Sequence, residues 1–206
     1  RCTHVLDLHT GAIHRSNMPQ IRVNLDNPIA KEMANAFGAP VIIDSKLRDG
    51  SLRQCADEAG ISLILYEAGE ALRFDDRAIR GGIRGVLNVV RYLKMLPPLK
   101  KTKKALAPVV ANSSSWIRTN SDGVFRSVVS VGQRVSKGQQ MGIVASPFGT
   151  HEEEVIAPNS GIIIGQNNIP VVNEGDALYH LARFDASSLA AEKQVERITE
   201  EIEAQQ

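Results

Sequence analysis

The spacing of apolar residues in the first half of the chain follows two periods, one typical of strands and one typical of helices. Short apolar runs predict buried strands at residues 5–8, 41–43 and 61–66. Apolar positions at helical spacing predict a helix at residues 75–95, and capping and stop residues predict helices at residues 29–37 and 51–59. Asn27 and Ser51 are suitable N-caps, and Gly38 and Gly60 are suitable stops. Strands that alternate with helices predict an α/β sheet covered by helices.

The second half of the chain has a different pattern. Pro97-Pro98 ends the third helix, and short runs rich in Gly, Val and Ser begin at Ala111. These runs predict short strands at residues 115–118, 123–129, 142–145, 153–156, 161–164 and 177–182. Such spacing predicts a small all-β domain. A polar, acidic helix is predicted from Ser187 onward, for which a solvated surface is favoured over a partner-docking one.

Two features qualify this organisation. Val5 to Leu8 is expected to be the end of a buried strand that runs into a turn at residues 9–11, with nothing before it to pair with. We therefore expect a C-terminal fragment of a longer protein; a processed but complete chain is the alternative. Between the two halves, Lys100, Lys101, Lys103 and Lys104 could contact nucleic acid or anionic lipid, but a solvated linker is favoured because no aromatic residues accompany them.

Composition and charge exclude several classes of protein. The 206 residues carry 24 Lys and Arg against 23 Asp and Glu, a net charge of +1. This balance argues against a nucleic-acid-binding arm, and a hydrophobic share of 43% argues against disorder. No apolar run approaches the roughly 18 residues of a membrane span. Cys2 and Cys55 match no metal or redox spacing and suit a reducing cytoplasm.

His9 is the first candidate for chemistry. The segment Asp7-Leu8-His9-Thr10-Gly11 would place it at the carboxyl edge of the sheet, where ligand sites collect. Neutral imidazole is a common zinc ligand, and Asp7 could orient it through the other ring nitrogen. Taken alone, the pattern favours a structural histidine in a turn. His14 is a lesser candidate because no strand holds it.

Two further candidates are a carboxylate and a guanidinium. Glu67 ends an apolar strand, where a charge is costly unless it is paired or needed, and it could act as a general base. A solvent-facing strand end is the alternative, and Glu70 beside it could be a surface residue paired with Arg73. Ser51 and Arg53 at a helix start could bind a substrate carboxylate; a simple N-cap with a surface arginine explains them equally well.

Five segments together resemble the succinylglutamate desuccinylase/aspartoacylase family, the zinc deacylases related to zinc carboxypeptidases. They are residues 7–11, 17–22, 37–41, 50–53 and 66–75. The resemblance runs in order over roughly residues 1–184 and is closest to the bacterial branch of predicted deacylases. It implies an α/β domain with part of a zinc-carboxypeptidase-like sheet, followed by a small barrel-sandwich-like β domain.

The resemblance also implies roles for single residues. It makes His9 the third ligand of a Zn²⁺ ion, while the family's other two ligands come from an upstream His-x-x-Glu motif that this chain does not contain. Glu67 corresponds to the catalytic glutamate, which deprotonates the metal-bound water and then protonates the departing amine. Arg53 is the predicted contact for a substrate carboxylate. A fragment of this kind should be inactive without its N-terminal part.

The second half resembles biotinyl and lipoyl carrier domains through residues 131–139 and 157–161. True carriers present a lysine in the turn between two strands, but the turn at residues 145–150 contains none. A swinging-arm carrier is therefore disfavoured, and a lid or wall beside the substrate channel is expected.

These inferences predict four segments and one leading function. The segments are a catalytic α/β part at 1–96, a linker at 97–110, a β domain at 111–184 and an acidic helical tail at 185–206. The predicted function is zinc-dependent hydrolysis of the amide of an N-acyl amino acid, in the cytoplasm. An ester hydrolase, a peptidase and a non-catalytic binding module are the alternatives. The expected partner is a small molecule rather than nucleic acid or membrane, and a homo-oligomer stays open.

Overall fold

The computed structural model describes residues 2–99, 106–184 and 188–204 of the chain. The elements before residue 100 are β1 (His4–Gly11), β2 (Arg15–Val23), α1 (Pro28–Phe37), β3 (Val41–Asp44), α2 (Leu52–Glu58), β4 (Ser62–Glu70) and α3 (Asp76–Tyr92). Those after residue 105 are β5 (Val109–Ala111), β6 (Ser113–Arg118), β7 (Gly123–Ser127), β8 (Arg134–Val135), β9 (Gln140–Ala145), β10 (Glu152–Ile156), β11 (Gly161–Asn167), β12 (Val171–Val172), β13 (Ala177–Arg183) and α4 (Ser188–Glu203). The mixed α/β fold class predicted from the sequence is confirmed.

Side-chain caps determine where the first three helices begin. Asn27, Ser51 and Asp75 each accept a hydrogen bond from the backbone N–H three residues further on. In α1 this bond, from the N–H of Ala30 to the side chain of Asn27, is 3.0 Å long. The same helix ends at Gly38, whose φ of 76° is in the left-handed region that favours glycine. The helix starts predicted from Asn27 and Ser51 are therefore confirmed.

The strands of the described residues form two sheets. The larger has nine strands in the path β1-β4-β2-β11-β13-β6, with β3 paired to β2 and β5, and β8 paired to β11. The smaller has four strands in the order β10-β9-β7-β12. β1 is parallel to β4, whereas β2 is antiparallel to both β4 and β11. Because β11 and β13 continue the sheet that β2 and β4 begin, strands from both halves of the sequence meet in one layer.

The first two strands differ from what the sequence predicts. β1 continues through His9 to Gly11 as a strand, where a turn was expected. It lies at the end of the sheet path, so Leu8 is 58% exposed rather than buried. β2 was not predicted at all, because polar residues and Pro19 interrupt its apolar pattern. Its polar side chains are accommodated because several of them face a cleft.

Helix α4 is docked on the protein, so the expectation of a solvated terminal helix is wrong. Its residues Ala191, Val195, Ile198 and Ile202 are each 1% to 3% exposed. Near its end, the Glu203 carboxylate forms an ion pair of 2.6 Å with Arg77 of α3. The apolar stripe of this helix therefore serves the chain's own core rather than a solvated surface.

The helices and sheets enclose three apolar cores. The first lies between helices α1 and α3 and the strands β2 and β4, and includes Ile21, Met33, Phe37, Ile64 and Val89. The second joins the smaller sheet to β8, β11 and β13, and includes Val135, Met141, Val144, Ile163 and Leu178. The third lies beneath α4 and includes Val41, Ile162, Ile164, Ala191 and Val195.

Helix α3 approaches α1 closely at a glycine. A Cβ atom added to Gly85 would lie only 2.1 Å from a ring carbon of Phe37. Phe37 itself is 1% exposed and contacts the ring of Tyr66 with 4.9 Å between centroids. The absence of a side chain at Gly85 therefore allows the two helices to pack over β4.

The predicted division into segments stays a prediction. The four lysines of the predicted linker lie outside the described residues. Within the same predicted linker, Val109 and Val110 belong to β5, which pairs in parallel with β3. None of the helices in the described ranges combines the length and the apolar character needed to cross a membrane.

Candidate active site

A polar cleft of about 670 Å³ opens over the middle of the larger sheet. Strands β1, β2, β4, β6 and β13 contribute to its wall, and so does the segment that leads into α2. Its charged, polar and aromatic lining residues include Asp7, His9, Arg15, Asn17, Arg22, Arg48, Arg53, Glu67, Trp116 and His180. The cleft thus contains all three residues that the sequence predicts for the site, His9, Arg53 and Glu67.

His9 lies directly beside Glu67 in the sheet. The two residues are register partners on the parallel strands β1 and β4. The Nε2 atom of His9 is 3.1 Å from a carboxylate oxygen of Asp7, and the His9 side chain is about half exposed, at 51%. When Nε2 carries the proton shared with Asp7, Nδ1 has the lone pair that can bind a cation. The suggested Asp7–His9 contact is therefore present.

Both carboxylate oxygens of Glu67 accept hydrogen bonds from β2. The Asn17 amide donates to Oε1 over 2.7 Å, and the Arg22 Nε–H donates to Oε2 over 2.6 Å. The Arg22 and Glu67 side chains are each 19% exposed. Glu67 is consequently neither a free solvent-facing carboxylate nor an unpaired buried one. Each oxygen has further acceptor capacity toward a water in the cleft.

On its other side, Arg22 approaches a buried histidine of β13. Its Nη2 atom is 3.5 Å from Nδ1 of His180, which is 3% exposed. Burial, and secondarily the positive charge of Arg22, lower the pKa of His180 to about 3. The imidazole is therefore neutral at physiological pH, and its Nδ1 can accept from the guanidinium.

An aromatic residue completes this wall of the cleft. The Trp116 ring stacks on the His180 ring with centroids 4.7 Å apart and an interplanar angle of 14°. The guanidinium carbon of Arg15 lies 5.0 Å from the centroid of Trp116, within the range of a cation–π contact. The β-rich second half of the chain thus forms one wall of the cleft.

Arg53 is buried at the cleft wall, where its guanidinium binds the loop before α2. It donates to the backbone oxygen of Ser45 over 2.9 Å, to the Ser45 hydroxyl over 3.2 Å and to the backbone oxygen of Lys46 over 3.3 Å. Burial, then the positive charges of Arg22 and Arg48, lower the pKa of Arg53. The alternative of an exposed surface arginine is excluded, and the predicted carboxylate contact stays a prediction.

Glu70 connects two turns. Its Oε1 accepts from the backbone N–H of His14 over 3.0 Å, and its Oε2 accepts from the Asn168 amide over 2.9 Å. The Asn168 amide also donates to the hydroxyl of Ser16 over 2.6 Å. The role of Glu70 is therefore to join the β1–β2 turn to the β11–β12 turn, rather than to lie free on the surface.

The described residues do not form a complete metal site. No three of their His, Cys, Asp or Glu side chains form a group that could hold a metal ion. A catalytic zinc usually takes protein ligands from several side chains, whereas the cleft offers the imidazole of His9 with the Asp7 carboxylate behind it, and the Nδ1 atom of its other histidine, His180, faces Arg22. No catalytic step is therefore assigned to a metal in this chain.

Several residues of the site, among them Arg22, Trp116 and His180, were not singled out from the sequence. Arg22 was missed because β2 was not predicted, although it falls within a segment that carries the family resemblance. Trp116 and His180 were assigned only to strands of the second half. One feature of the sequence pointed to His180: it is a titratable residue inside the apolar run 177–182. Burying such a polar side chain costs free energy unless it has a hydrogen-bond partner.

Comparison with known proteins identifies the first part of the chain. Residues 1–93 match the sequence model of the family described as Succinylglutamate desuccinylase/Aspartoacylase catalytic domain. The matched range contains His9, Arg22, Arg53 and Glu67. Among curated protein sequences, none matches the chain at a significant level.

Solved structures share the fold over most of the chain. The apo structure of the ectoine utilization protein EutE (DoeB) from Ruegeria pomeroyi has a TM-score of 0.77 and 19% identity, covering 88% of this chain and 60% of its own. A succinylglutamate desuccinylase/aspartoacylase from Rhodobacter sphaeroides has a TM-score of 0.75 and 21% identity, covering 87% and 57%. An aspartoacylase family protein from Mesorhizobium loti has a TM-score of 0.72 and 18% identity, covering 89% and 64%.

The chain therefore spans between 57% and 64% of the length of these three proteins. The sequence match and the shared fold agree with each other and with the resemblance of the motifs around His9 and Glu67. Residues 1–93 match the succinylglutamate desuccinylase/aspartoacylase catalytic-domain family, and the chain as a whole shares the fold of solved structures described as members of that family.

Proposed function

We propose that this chain supplies the general base of a hydrolase that removes the acyl group from an N-acyl amino acid or a similar small amide. The observation that carries the proposal is the Glu67 carboxylate, which lies in the cleft beside His9 and is held at both oxygens by Asn17 and Arg22. A carboxylate fixed in this way is suited to accept a proton from a water at a defined position.

The proposed reaction uses Glu67 twice. Water attacks the carbonyl carbon of the amide while Glu67 takes one of its protons. The C–N bond then breaks, and Glu67 returns the proton to the nitrogen of the departing amine. The products are a carboxylic acid and a free amine, and Glu67 ends ionised as it began. Asn17 and Arg22 keep the carboxylate in place through both proton transfers.

Zinc dependence belongs to the proposal for the whole protein. We assign His9 as one Zn²⁺ ligand, because its contact with Asp7 leaves the Nδ1 lone pair for a metal. The remaining ligands would have to come from residues other than those described, since no group of three is present among them. For this reason the two proton transfers above are written without a metal.

The cleft favours an anionic substrate. Arg48 and Arg53 lie on one wall, and Arg15 lies by Trp116 on another. Arg53 is the proposed contact for a substrate carboxylate, and its bonds to Ser45 and Lys46 hold its guanidinium at the wall. A bidentate guanidinium–carboxylate contact would give orientation as well as attraction.

Replacement of Glu67 by glutamine tests the proposed function. Release of free amine by the whole protein, with Zn²⁺ present, is measured on a panel of N-acetyl and N-succinyl amino acids with an amine-reactive fluorophore. Glu67→Gln is expected to lower kcat by roughly 10²- to 10⁴-fold, the usual contribution of a general base. Glu70→Gln is the matched control, because Glu70 is on the same strand but binds only the two turns. Undiminished turnover in Glu67→Gln would overturn the role of Glu67.

One observation favours a second candidate, a non-catalytic binding module: the described residues do not assemble a metal site. Binding of an N-acyl amino acid by the whole protein without any release of amine, with zinc present, would support that candidate. Adding esters and dipeptides to the same panel separates an ester hydrolase or a peptidase from an amide deacylase.

The remaining parts of the proposal concern partners and location. A product-bound structure of EutE (DoeB) is known, and we propose that this chain takes a small-molecule substrate in the polar cleft described above. Cys2 and Cys55 are both free thiols at the surface, which supports the proposed location in the reducing cytoplasm.

A further inference from the structure

A row of paired residues crosses the larger sheet beneath the cleft. Trp116 on β6 is the register partner of His180 on β13, and His180 is the partner of Gly165 on β11. Gly165 is in turn the partner of Asn17 on β2, which pairs with Gly69 on β4. The row connects the second half of the chain to the strand that carries Glu67.

Gly165 has no side chain, and this leaves space within the row for Asn17, which donates to Glu67. A Cβ atom added to Gly165 would lie 2.3 Å from the Oδ1 atom of Asn17 and 3.3 Å from the Cβ of His180. The Asn17 amide can therefore lie over β11 and still donate to Glu67. The strands of the second half thus determine the space available to a residue that binds the proposed base.

The second donor to Glu67, Arg22, also contacts a residue from the second half of the chain. The Arg22 guanidinium donates to Glu67 through Nε and faces Nδ1 of His180 through Nη2, over 2.6 and 3.5 Å respectively. A guanidinium can only donate, so Nδ1 must be the acceptor and Nε2 must carry the ring proton. The stack on Trp116 fixes the plane of the ring.

We propose that His180 is a positioning residue, whose neutral imidazole holds the Arg22 guanidinium in the orientation that fixes the Glu67 carboxylate. This inference rests on the proposed function for its effect on turnover, but not for its effect on Arg22. The wall of the cleft contributed by β13 and β6 is then part of the machinery that orients the base, in addition to shaping the channel. A planar ring alone does not provide the acceptor that this role needs.

Three variants of His180 separate the acceptor from the ring. His180→Phe keeps a planar ring against Trp116 but removes the acceptor. His180→Asn replaces the ring by an amide whose oxygen can take the position of Nδ1. His180→Gln is a second variant without an acceptor at the Nδ1 position, and it is used if His180→Phe does not fold. Its longer side chain places the amide at the Nε2 position instead.

The first readout is the Nε–Hε cross-peak of Arg22 in a ¹H–¹⁵N NMR spectrum of the 206-residue chain, assigned by its loss in Arg22→Lys. The short bond to Glu67 should give a slowly exchanging, shifted peak in the unmodified chain. The peak is expected to move and to exchange faster in His180→Phe and His180→Gln, and to be largely restored in His180→Asn. An unchanged peak in His180→Phe, or equal damage in the Phe and Asn variants, would overturn the proposal.

The second readout is turnover of the amide substrates. Loss of one hydrogen bond to a charged group should lower kcat roughly 10-fold in His180→Phe, and His180→Asn should recover most of it. KM should change little, because Glu67 acts on the attacking water rather than on ground-state binding. A rise in KM with an unchanged kcat would contradict a positioning role. Turnover is measured on the whole protein with Zn²⁺ present. If that protein releases no amine, the proposed function fails, and the NMR experiment alone decides the role of His180.

Discussion

The close approach of α3 to α1 leads to a stability prediction that does not depend on the proposed function. In Gly85→Ala the new methyl group would lie 2.1 Å from a ring carbon of Phe37, whereas carbon atoms in contact are usually about 3.5–4.0 Å apart. The ring, which is 1% exposed, would have to move by more than about 1 Å. That movement would disturb its contact with Tyr66.

A neighbouring glycine provides the matched control. In Gly82→Ala the methyl group would lie 3.3 Å from a ring carbon of Tyr66, so a small adjustment suffices. Both variants gain the helix propensity of alanine, about 1 kcal/mol over glycine, and this gain cancels when they are compared. Overpacking of a well-packed core costs about 1–3 kcal/mol. We expect Gly85→Ala to be less stable than Gly82→Ala by that amount.

Urea unfolding followed by far-UV circular dichroism measures this difference. With m-values of about 1–3 kcal/mol/M, the two midpoints should differ by on the order of 1 M, with Gly85→Ala lower. The slopes of the two transitions should agree, because neither change alters the surface exposed on unfolding. Equal midpoints, or a higher midpoint for Gly85→Ala, would refute the close packing of the two helices through Gly85.

Three further predictions concern the cleft. Arg53→Ala removes the bonds to Ser45 and Lys46 and should destabilise that loop by about 1.5–3 kcal/mol, seen as faster proteolysis there; unchanged cleavage would contradict this role. The pKa of His180 is about 3 in the folded chain and about 6.5 unfolded, so the unfolded state binds the proton first on acidification. The free energy of unfolding should therefore fall as the pH drops from about 6.5 to about 3, by up to about 1.4 kcal/mol per pH unit, and it should fall less in His180→Phe. Equal pH dependence of the unmodified chain and His180→Phe would contradict a buried, neutral His180. In titration calorimetry the chain should bind Zn²⁺ weakly through His9, and tight stoichiometric binding would contradict the incomplete site.

The sequence predicted the fold where local chemistry determines structure. Asn27 and Ser51 cap helices because their side chains satisfy backbone N–H groups three residues away, and this spacing is visible in the sequence. β2 was missed because its polar residues serve the cleft rather than an alternating core face. The docking of α4 was missed because its polar composition does not reveal which neighbours cover its narrow apolar stripe.

The same reasoning explains how much of the candidate site was foreseen. His9 and Glu67 could be singled out because each lies at a recognisable strand end within a family motif, and parallel pairing of β1 and β4 then brings them together. Arg22 and His180 could not be joined from the sequence. They are 158 residues apart, and no periodic pattern encodes which strand of the second half pairs with which strand of the first.

The continuity of the larger sheet across both halves of the chain has a consequence for how the cleft forms. Pairing of β2 with β11 closes a loop of well over a hundred residues, which is entropically costly and slow compared with hairpin formation. During synthesis, Glu67 and its donors emerge long before His180 does. We therefore expect the first part to stay loosely ordered until β11 and β13 have left the ribosome, so that the cleft is completed only after the strands of both halves have been synthesised.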